Sequence, residues 1–189
     1  MGISLAWIAV EALDPDEALA RLSLARTGQD SEFLFEGVSC HALPRGWFMV
    51  AATPCDHRIG NVQSMAAVSQ GCRAVAFAVE EHVNFASTEL WQDGACIWHV
   101  EHEADQGNEH IAHIAHSGSL PPRFAELLAG VATEDNEARD AYFHMDIPII
   151  LAKEITGYRY DEVNPDVDNT AFERLTDLLP KAPWWKFWR

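Results

Sequence analysis

Apolar residues recur along this chain in two rhythms, every second position and every third or fourth, and their order predicts a mixed fold. "ISLAWIAV" (residues 3–10) is apolar on both faces, as a central strand would be. "DPDEALARL" then combines helix-start signals: Asp14 can cap, Pro15 suits the first helical position, and Glu17 sits three residues after the cap. Gly28 lies past the end of that helix. "EFLFEGV" and "GWFMVAA" are the next expected strands, joined by a loop holding Pro44 and Arg45. "NVQSMAAVSQG" places Val62, Met65 and Ala66 on one helical face, with Gly71 to end it. "RAVAFAVEE" follows as a strand, with Val75, Phe77 and Val79 on one side and alanines on the other. Strand, helix, strand, strand, helix, strand is the order of a ferredoxin-like βαββαβ core.

A second β unit follows. In "NFASTELWQDGACIWHVEH" the dipeptide Asp93-Gly94 predicts a two-residue type I′ hairpin. Uniform pairing across it would match Trp91 with Cys96, Glu89 with Trp98, Ser87 with Val100 and Phe85 with His102 on one buried, aromatic face. "HIAHIAH" reads as a further strand at an edge. "PPRFAELLAGV" predicts a helix, and "DIPIILAKEITG" another, starting near Asp146 and Pro148 and stopped by Gly157. "TAFERLTDLLP" predicts a last helix, with a capping box of Thr170 and Glu173 and Pro180 at its end. The expected architecture is α+β: a ferredoxin-like βαββαβ core extended by an antiparallel hairpin and strand, with a C-terminal group of helices. Residues 1–180 form one domain in this reading, and 181–189 a basic aromatic arm.

Charge narrows the choice of partner. Thirteen Lys and Arg face 29 Asp and Glu, a formal net charge of −16, which argues against nucleic acid or anionic lipid as a partner of the body. The imbalance is uneven, because no acid follows Asp177 whereas Lys181, Lys186 and Arg189 do. No apolar run approaches the roughly 18 residues that would span a bilayer. The opening stretch lacks the basic region of a signal peptide, so a cytoplasmic location is expected. Cys40, Cys55, Cys72 and Cys96 form no CxxC pair and are expected as buried free thiols.

Candidate chemistry is sparse. In "HIAHIAH", His110, His113 and His116 sit three apart, but strand alternation turns His113 away from the other two, so no metal site is assigned. "CDH" at Cys55 to His57 places a thiol near an imidazole and is read as an ordinary loop, since catalytic pairs are made by spatial geometry. "DEVNPDVDN" lacks the glycine and terminal glutamate of a calcium loop. No GxSxG, Walker loop, dinucleotide fingerprint or HExxH occurs. No catalytic residue, metal or cofactor is therefore assigned. The remaining candidate is a Glu/His/Trp pocket: Glu89 beside Trp98 on the aromatic face, with His102 near it and Glu80 and His82 ending the adjacent strand. Buried there, Glu89 would titrate high unless paired, and the cluster could be an acid–base centre, a ligand pocket or a satisfied polar pair.

Two stretches carry a resemblance. "VEEHVNFASTELWQDGACIWHVEHE" and "FHMDIPIILAKEITGYRYDE", about a quarter of the chain, resemble segments of uncharacterised bacterial proteins. Those proteins share a VEEHV strand, a W-x-DG-x-x-x-W hairpin and a later D-[IV]-P-x-x-x-A-x-x-x-T-G-[YF]-R helix. Here the elements fall on Val79 to Val83, Trp91 to Trp98 and Asp146 to Arg159. The resemblance implies a bacterial, cytoplasmic protein and brings no established activity with it.

The end of the chain, "KAPWWKFWR", sets Trp184, Trp185, Phe187 and Trp188 among Lys186 and Arg189. Six residues make too short an amphipathic helix for strong interfacial binding, and an acidic body is repelled by anionic lipid, so membrane contact is disfavoured. Docking on this subunit or a symmetry mate is expected, with Lys186 and Arg189 against its acidic surface. Together these readings predict an acidic interaction protein, of the kind that an immunity or antitoxin-like inhibitor of a basic partner would be. The alternative is a small-molecule sensor or enzyme using the Glu/His/Trp pocket.

Overall fold

The structure, a computed structural model, describes residues 2–31, 37–104, 114–133, 140–168 and 171–179. The arm at 181–189, Thr170, and His110 and His113 lie outside the described residues. The fold is α+β, with a nine-stranded antiparallel sheet and four α-helices among the described residues. The strands are β1 (Ser4–Glu11), β2 (Leu24–Ser31), β3 (Val38–Ala42), β4 (Trp47–Ala52), β5 (Arg73–Glu80), β6 (Phe85–Gln92), β7 (Ala95–Glu103), β8 (Ile114–Gly118) and β9 (Phe172–Asp177). They lie in the order β2-β9-β3-β4-β1-β5-β6-β7-β8. The helices are α1 (Pro15–Arg21), α2 (Val62–Val68), α3 (Pro122–Thr133) and α4 (Asp140–Thr156). The sheet is larger than the seven strands expected, four in the core and three in its extension: β2 and β9 lie where no strand was expected, and most of the strand expected over residues 32–38 lies outside the described residues.

β1 is central and buried on both faces. Its Leu5, Trp7 and Ala9 join Val75, Phe77 and Val79 of β5 on the side covered by α4 and the segment after it. There Trp7 stacks on Phe77 at 5.0 Å and meets the edge of Tyr158 at 6.0 Å. On the other side, Ile8 and Val10 join Ala74 and Ala76 under α1 and α2. Small alanines let those short helices sit close to the sheet. Asp14 caps α1 by accepting from the N–H groups of Asp16 and Glu17 at 3.0 and 3.1 Å.

Three expectations need correction. "TAFERLTDLLP" is not a helix: Phe172–Asp177 form β9, between β2 and β3. Residues three apart share a helical face but oppose each other on a strand. Phe172 accordingly enters the core under α4, and Leu175 the core under α1. Glu173, expected to cap, instead takes Arg26 and the Gly28 N–H of β2. The group of helices after β8 therefore ends at α4. Next, the expectation at Gly28 needs narrowing: it lies past the end of α1 but within β2, with φ +68, beside the irregularity in β2–β9 pairing. Finally, α4 begins at Asp140, so Pro148 lies inside it, and the Thr88 hydroxyl donates to the Pro148 carbonyl at 2.7 Å.

The β6–β7 hairpin carries the most consequential difference. Asp93 (φ 51) and Gly94 (φ 80) make the left-handed turn, and Trp91 pairs with Cys96. Beyond them the register shifts by one: Leu90 faces Trp98 and Glu89 faces His99. Ile97 is the extra residue of a β-bulge, and one extra residue turns every later side chain to the opposite face. The buried face is Ala86, Thr88, Val100, His102 and Trp98; Ser87, Glu89, His99 and Glu101 are only half-buried.

Replacing Trp7 with Ala should cost about 3–5 kcal/mol, since a large buried aromatic leaves a cavity that its neighbours cannot close. Urea denaturation measures this as a lower midpoint with an unchanged slope.

Candidate functional site

The bulge separates the predicted pocket. Glu89 lies on the face opposite Trp98 and His102, and the expected Glu89–Trp98 neighbourhood does not form. The Glu89 carboxylate instead accepts from the indole N–H of Trp91 at 2.6 Å, two residues along the same face. Trp98 packs with Phe124, Ile147 and Leu151 of α3 and α4. His102 is fully buried, its ring 6.1 Å from that of His144. Glu80 and His82 remain together at the end of β5. His82 Nδ1 is 2.7 Å from the Glu80 carboxylate, and Nε2 accepts from the Gly2 N–H at 3.3 Å. The Ser4 hydroxyl, then His82, holds the Glu80 carboxyl below the usual range. This pair ties the start of the chain to the β5 turn.

What the sheet forms instead is a cleft of about 250 Å³ on the α2 side. Its floor is made of small side chains, Ala6 of β1, Ala76 and Ala78 of β5 and Ser87 of β6. Helix α2 has only seven residues and its buried Met65 and Val68 cover the Ala74 end, leaving the Ala78 end to the loop before it. That loop, residues 55–61, walls the cleft with Cys55, Asp56, His57, Gly60 and Asn61, and Glu89 stands on the opposite wall.

Each wall residue has a local reason for its place. The Cys55 N–H donates to the Ser4 hydroxyl at 3.1 Å, and its thiol lies 3.9 Å from Glu80. Asn61 caps α2 by accepting from the Ser64 N–H at 2.8 Å. His57 accepts from the Ile59 N–H through Nδ1 at 3.4 Å, so its neutral form carries the proton on Nε2. Burial, then the neighbouring Arg58 charge, pushes His57 below the ordinary imidazole value. Arg58 is anchored by two bonds to Asp177, at 2.7 and 2.8 Å, and one to the Leu22 carbonyl at 2.9 Å. The cleft therefore offers a neutral imidazole, a thiol, a hydroxyl and two carboxylates around a floor made mostly of alanine.

Among the described residues the cleft opens onto the face of β6 and β7 that is turned away from α4. Among the described residues the principal helix contacts of β6 and β7 are with α4, on the far side. The open side carries Glu89 across from His99, Ser87 across from Glu101, and Phe85 across from Glu103. Glu101 lies 3.5 Å from His99 and, against the effect of burial, raises its basicity. Elsewhere Arg21, Arg26, Arg58, Arg73, Arg123, Lys153 and Arg159 are each engaged by a carboxylate of this chain. Much of the cationic charge is thus spent internally, and this face is left acidic.

A second cleft, of about 510 Å³, lies between the Gly2 and Asn84 segments and α4. Met145, Ile149 and Tyr160 make its apolar part and Glu81, Asp146 and Asp161 its acids. Those acids have internal tasks: Glu81 accepts from the Ile3 N–H and the Tyr160 hydroxyl, and Arg159 bridges Asp146 and Asp161.

Among the described residues no three His, Cys, Asp or Glu side chains converge as metal ligands. The expectation of four buried thiols holds for Cys40 alone; Cys55 and Cys72 are half-buried and Cys96 is exposed. Sequence reasoning set aside "CDH", yet Cys55, Asp56 and His57 all line the cleft. The alanine-only face of β5 was the available signal, since it marks a place where the sheet carries little bulk. No family model matches the chain, and neither a curated protein nor a solved structure matches it significantly.

The two half-buried imidazoles should titrate in opposite directions from about 6.5. Protonating His57 as pH falls below that value opposes folding, because its folded form holds the proton less tightly than the unfolded chain. His99 contributes stability below that value and loses it as pH rises through its raised folded value. An NMR titration of the ring protons should find His57 low and His99 high, with Glu101→Gln bringing His99 down and leaving His57 in place.

Proposed function

We propose that this chain is an acidic interaction protein that receives a basic protein partner on the open face of β6 and β7, in the manner of an immunity or antitoxin-like inhibitor. The observation that carries the reading is the polar sheet face that bears Glu89, Glu101 and Glu103, turned away from α4 among the described residues, in a molecule of net charge −16. A covered sheet face needs an apolar stripe, and this one alternates to polar residues, as a solvated or transiently covered face does. Acidic surfaces of this kind speed encounter with basic partners and screen out acidic ones. The order β3-β4-β1-β5, with α1 and α2 on one side, supports reading that part of the sheet as a ferredoxin-like core to which β6–β8 add the docking face.

The second reading is a small-molecule site, favoured by the larger cleft beside α4. Its mixture of Met145, Ile149 and Tyr160 with carboxylates suits a compact organic amine.

Charge reversal distinguishes them. Glu89→Lys with Glu101→Lys should abolish capture of a basic protein from the native host at low salt while leaving the melting temperature within a few degrees. Capture should also weaken at least tenfold between about 50 and 200 mM salt if several ion pairs form. Retention of the same protein by the double variant would sink the assignment of this face. A stabilising response to small amines that survives the double variant would favour the second reading.

A further inference from the structure

The alanine-floored cleft beside residues 55–61 lies outside both sites assigned above and shares only Glu89 with the docking face. We propose that it binds a planar amino-heterocycle of nucleobase size, whose adjacent N–H groups meet the Glu89 carboxylate and whose ring carbonyl accepts from the His57 imidazole.

The first argument is spare hydrogen-bonding capacity on side chains that are already positioned. Glu89 takes the Trp91 indole N–H on Oε2 at 2.6 Å, which fixes the carboxylate and leaves Oε1 to the cleft. His57 takes the Ile59 N–H on Nδ1 at 3.4 Å, so the ring offers Nε2–H. Asn61 spends its side-chain oxygen on the Ser64 N–H at 2.8 Å and keeps its amide N–H groups. The cleft beside α4 differs, because its acids already serve Ile3, Tyr160 and Arg159. A few convergent polar groups, each fixed at one atom and open at another, are what orient a small molecule in a site.

The second argument is size and charge. At about 250 Å³ the hollow is smaller than the roughly 300–1,000 Å³ of drug-sized sites, so it takes a single ring system. Its floor of Ala6, Ala76, Ala78 and Ser87 carries no bulky side chain, and a flat ring covers such a surface well. Among the described residues no Lys or Arg lines it, and Arg58 is held by Asp177, so an anionic group would meet Asp56 and Glu89 unopposed. A simple alkyl ammonium would pair with those acids and leave the His57 and Asn61 donors without acceptors. An edge with N–H donors beside a carbonyl matches both sets, as when side chains read the edge of an unpaired base. The ligand is therefore the base alone, without a phosphate.

Isocytosine is the probe, because one small ring carries this whole edge; uracil has the same outline without the amino group. Calorimetric titration of the full chain should show saturable binding of isocytosine, with uracil at least about tenfold weaker, as one well-made pair of hydrogen bonds discriminates. Glu89→Gln keeps an acceptor for Trp91 and should weaken isocytosine at least about tenfold, since the charge of the acceptor is lost. Ala78→Leu fills the floor between its neighbours Ala6 and Ser87 and should abolish binding. That variant leaves Glu101, Glu103 and the cleft beside α4 untouched, so failure here is distinguishable from failure of either reading above. Where it does not fold, Cys55 of the unaltered chain reports on the same wall. Isocytosine at ten times its Kd should slow iodoacetamide alkylation of Cys55 by about tenfold, by mass action, and leave the exposed Cys96 unchanged. No binding, equal binding of uracil, undiminished binding by Glu89→Gln or binding that survives Ala78→Leu would each overturn the proposal. Binding of benzamidine where isocytosine fails would also overturn it, by giving the cleft to planar cations.

Discussion

The structure depends on the two-sidedness of β1 and β5, the adjacent central strands. On one side Trp7 stacks on Phe77, and Tyr158 closes over the pair, so α4 and the segment after it are held by large aromatic surfaces. On the other side the same two strands present Ala6, Ala74, Ala76 and Ala78 with Ile8 and Val10 between them. Pleating imposes this division, because successive side chains must point oppositely. The bulky face recruits a long helix. The small face takes two short helices that cannot cover it all, and the uncovered end becomes the cleft.

Electrostatics then set the character of that end. Arginines elsewhere are drawn into pairs with the chain's own carboxylates, Arg58 with Asp177 and Arg159 with Asp146 and Asp161 among them. Such exposed pairs add little stability individually, but they fix where positive charge is unavailable. What faces outward from β6 and β7 is Glu89, His99, Glu101 and Glu103, with Glu101 raising the basicity of the His99 imidazole beside it. A neutral His57 on one wall and a carboxylate on the other make the cleft a place for hydrogen-bond donors and cations.

Much of the fold was legible from local signals. The cap at Asp14, the division of β5 into valine and alanine faces, the Asp93-Gly94 turn and an edge strand, expected over 110–116 and described over Ile114–Gly118, all follow from short-range rules. The candidate site was not legible, and a single residue explains much of the failure. Ile97 bulges out of the β6–β7 ladder, and with it Trp98 and His102 turn away from Glu89. Hydrophobic pattern alone does not reveal this, because Leu90, Trp91, Ile97 and Trp98 put apolar residues on both possible faces. The "CDH" loop was dismissed for the reverse reason: its residues are ordinary in sequence and acquire meaning only above an alanine floor supplied by β1 and β5.

The sequence by itself determined the acidic balance, the α+β class, the turns and caps, and which strands must be buried on both sides. Those properties depend on composition, on backbone geometry and on neighbours within a few residues. Tertiary structure decided the rest. β9 became a strand because β2 and β3, more than 130 residues upstream of it, leave unpaired backbone groups that only a strand can satisfy, whatever the capping signals at Glu173 imply. The hairpin's outer register was chosen by the core under α4, which takes Trp98 and Val100 and leaves Glu89 to the open face. Local rules state what each segment can be; competition for one shared interior settles which way its side chains point, and here that orientation is what makes the site.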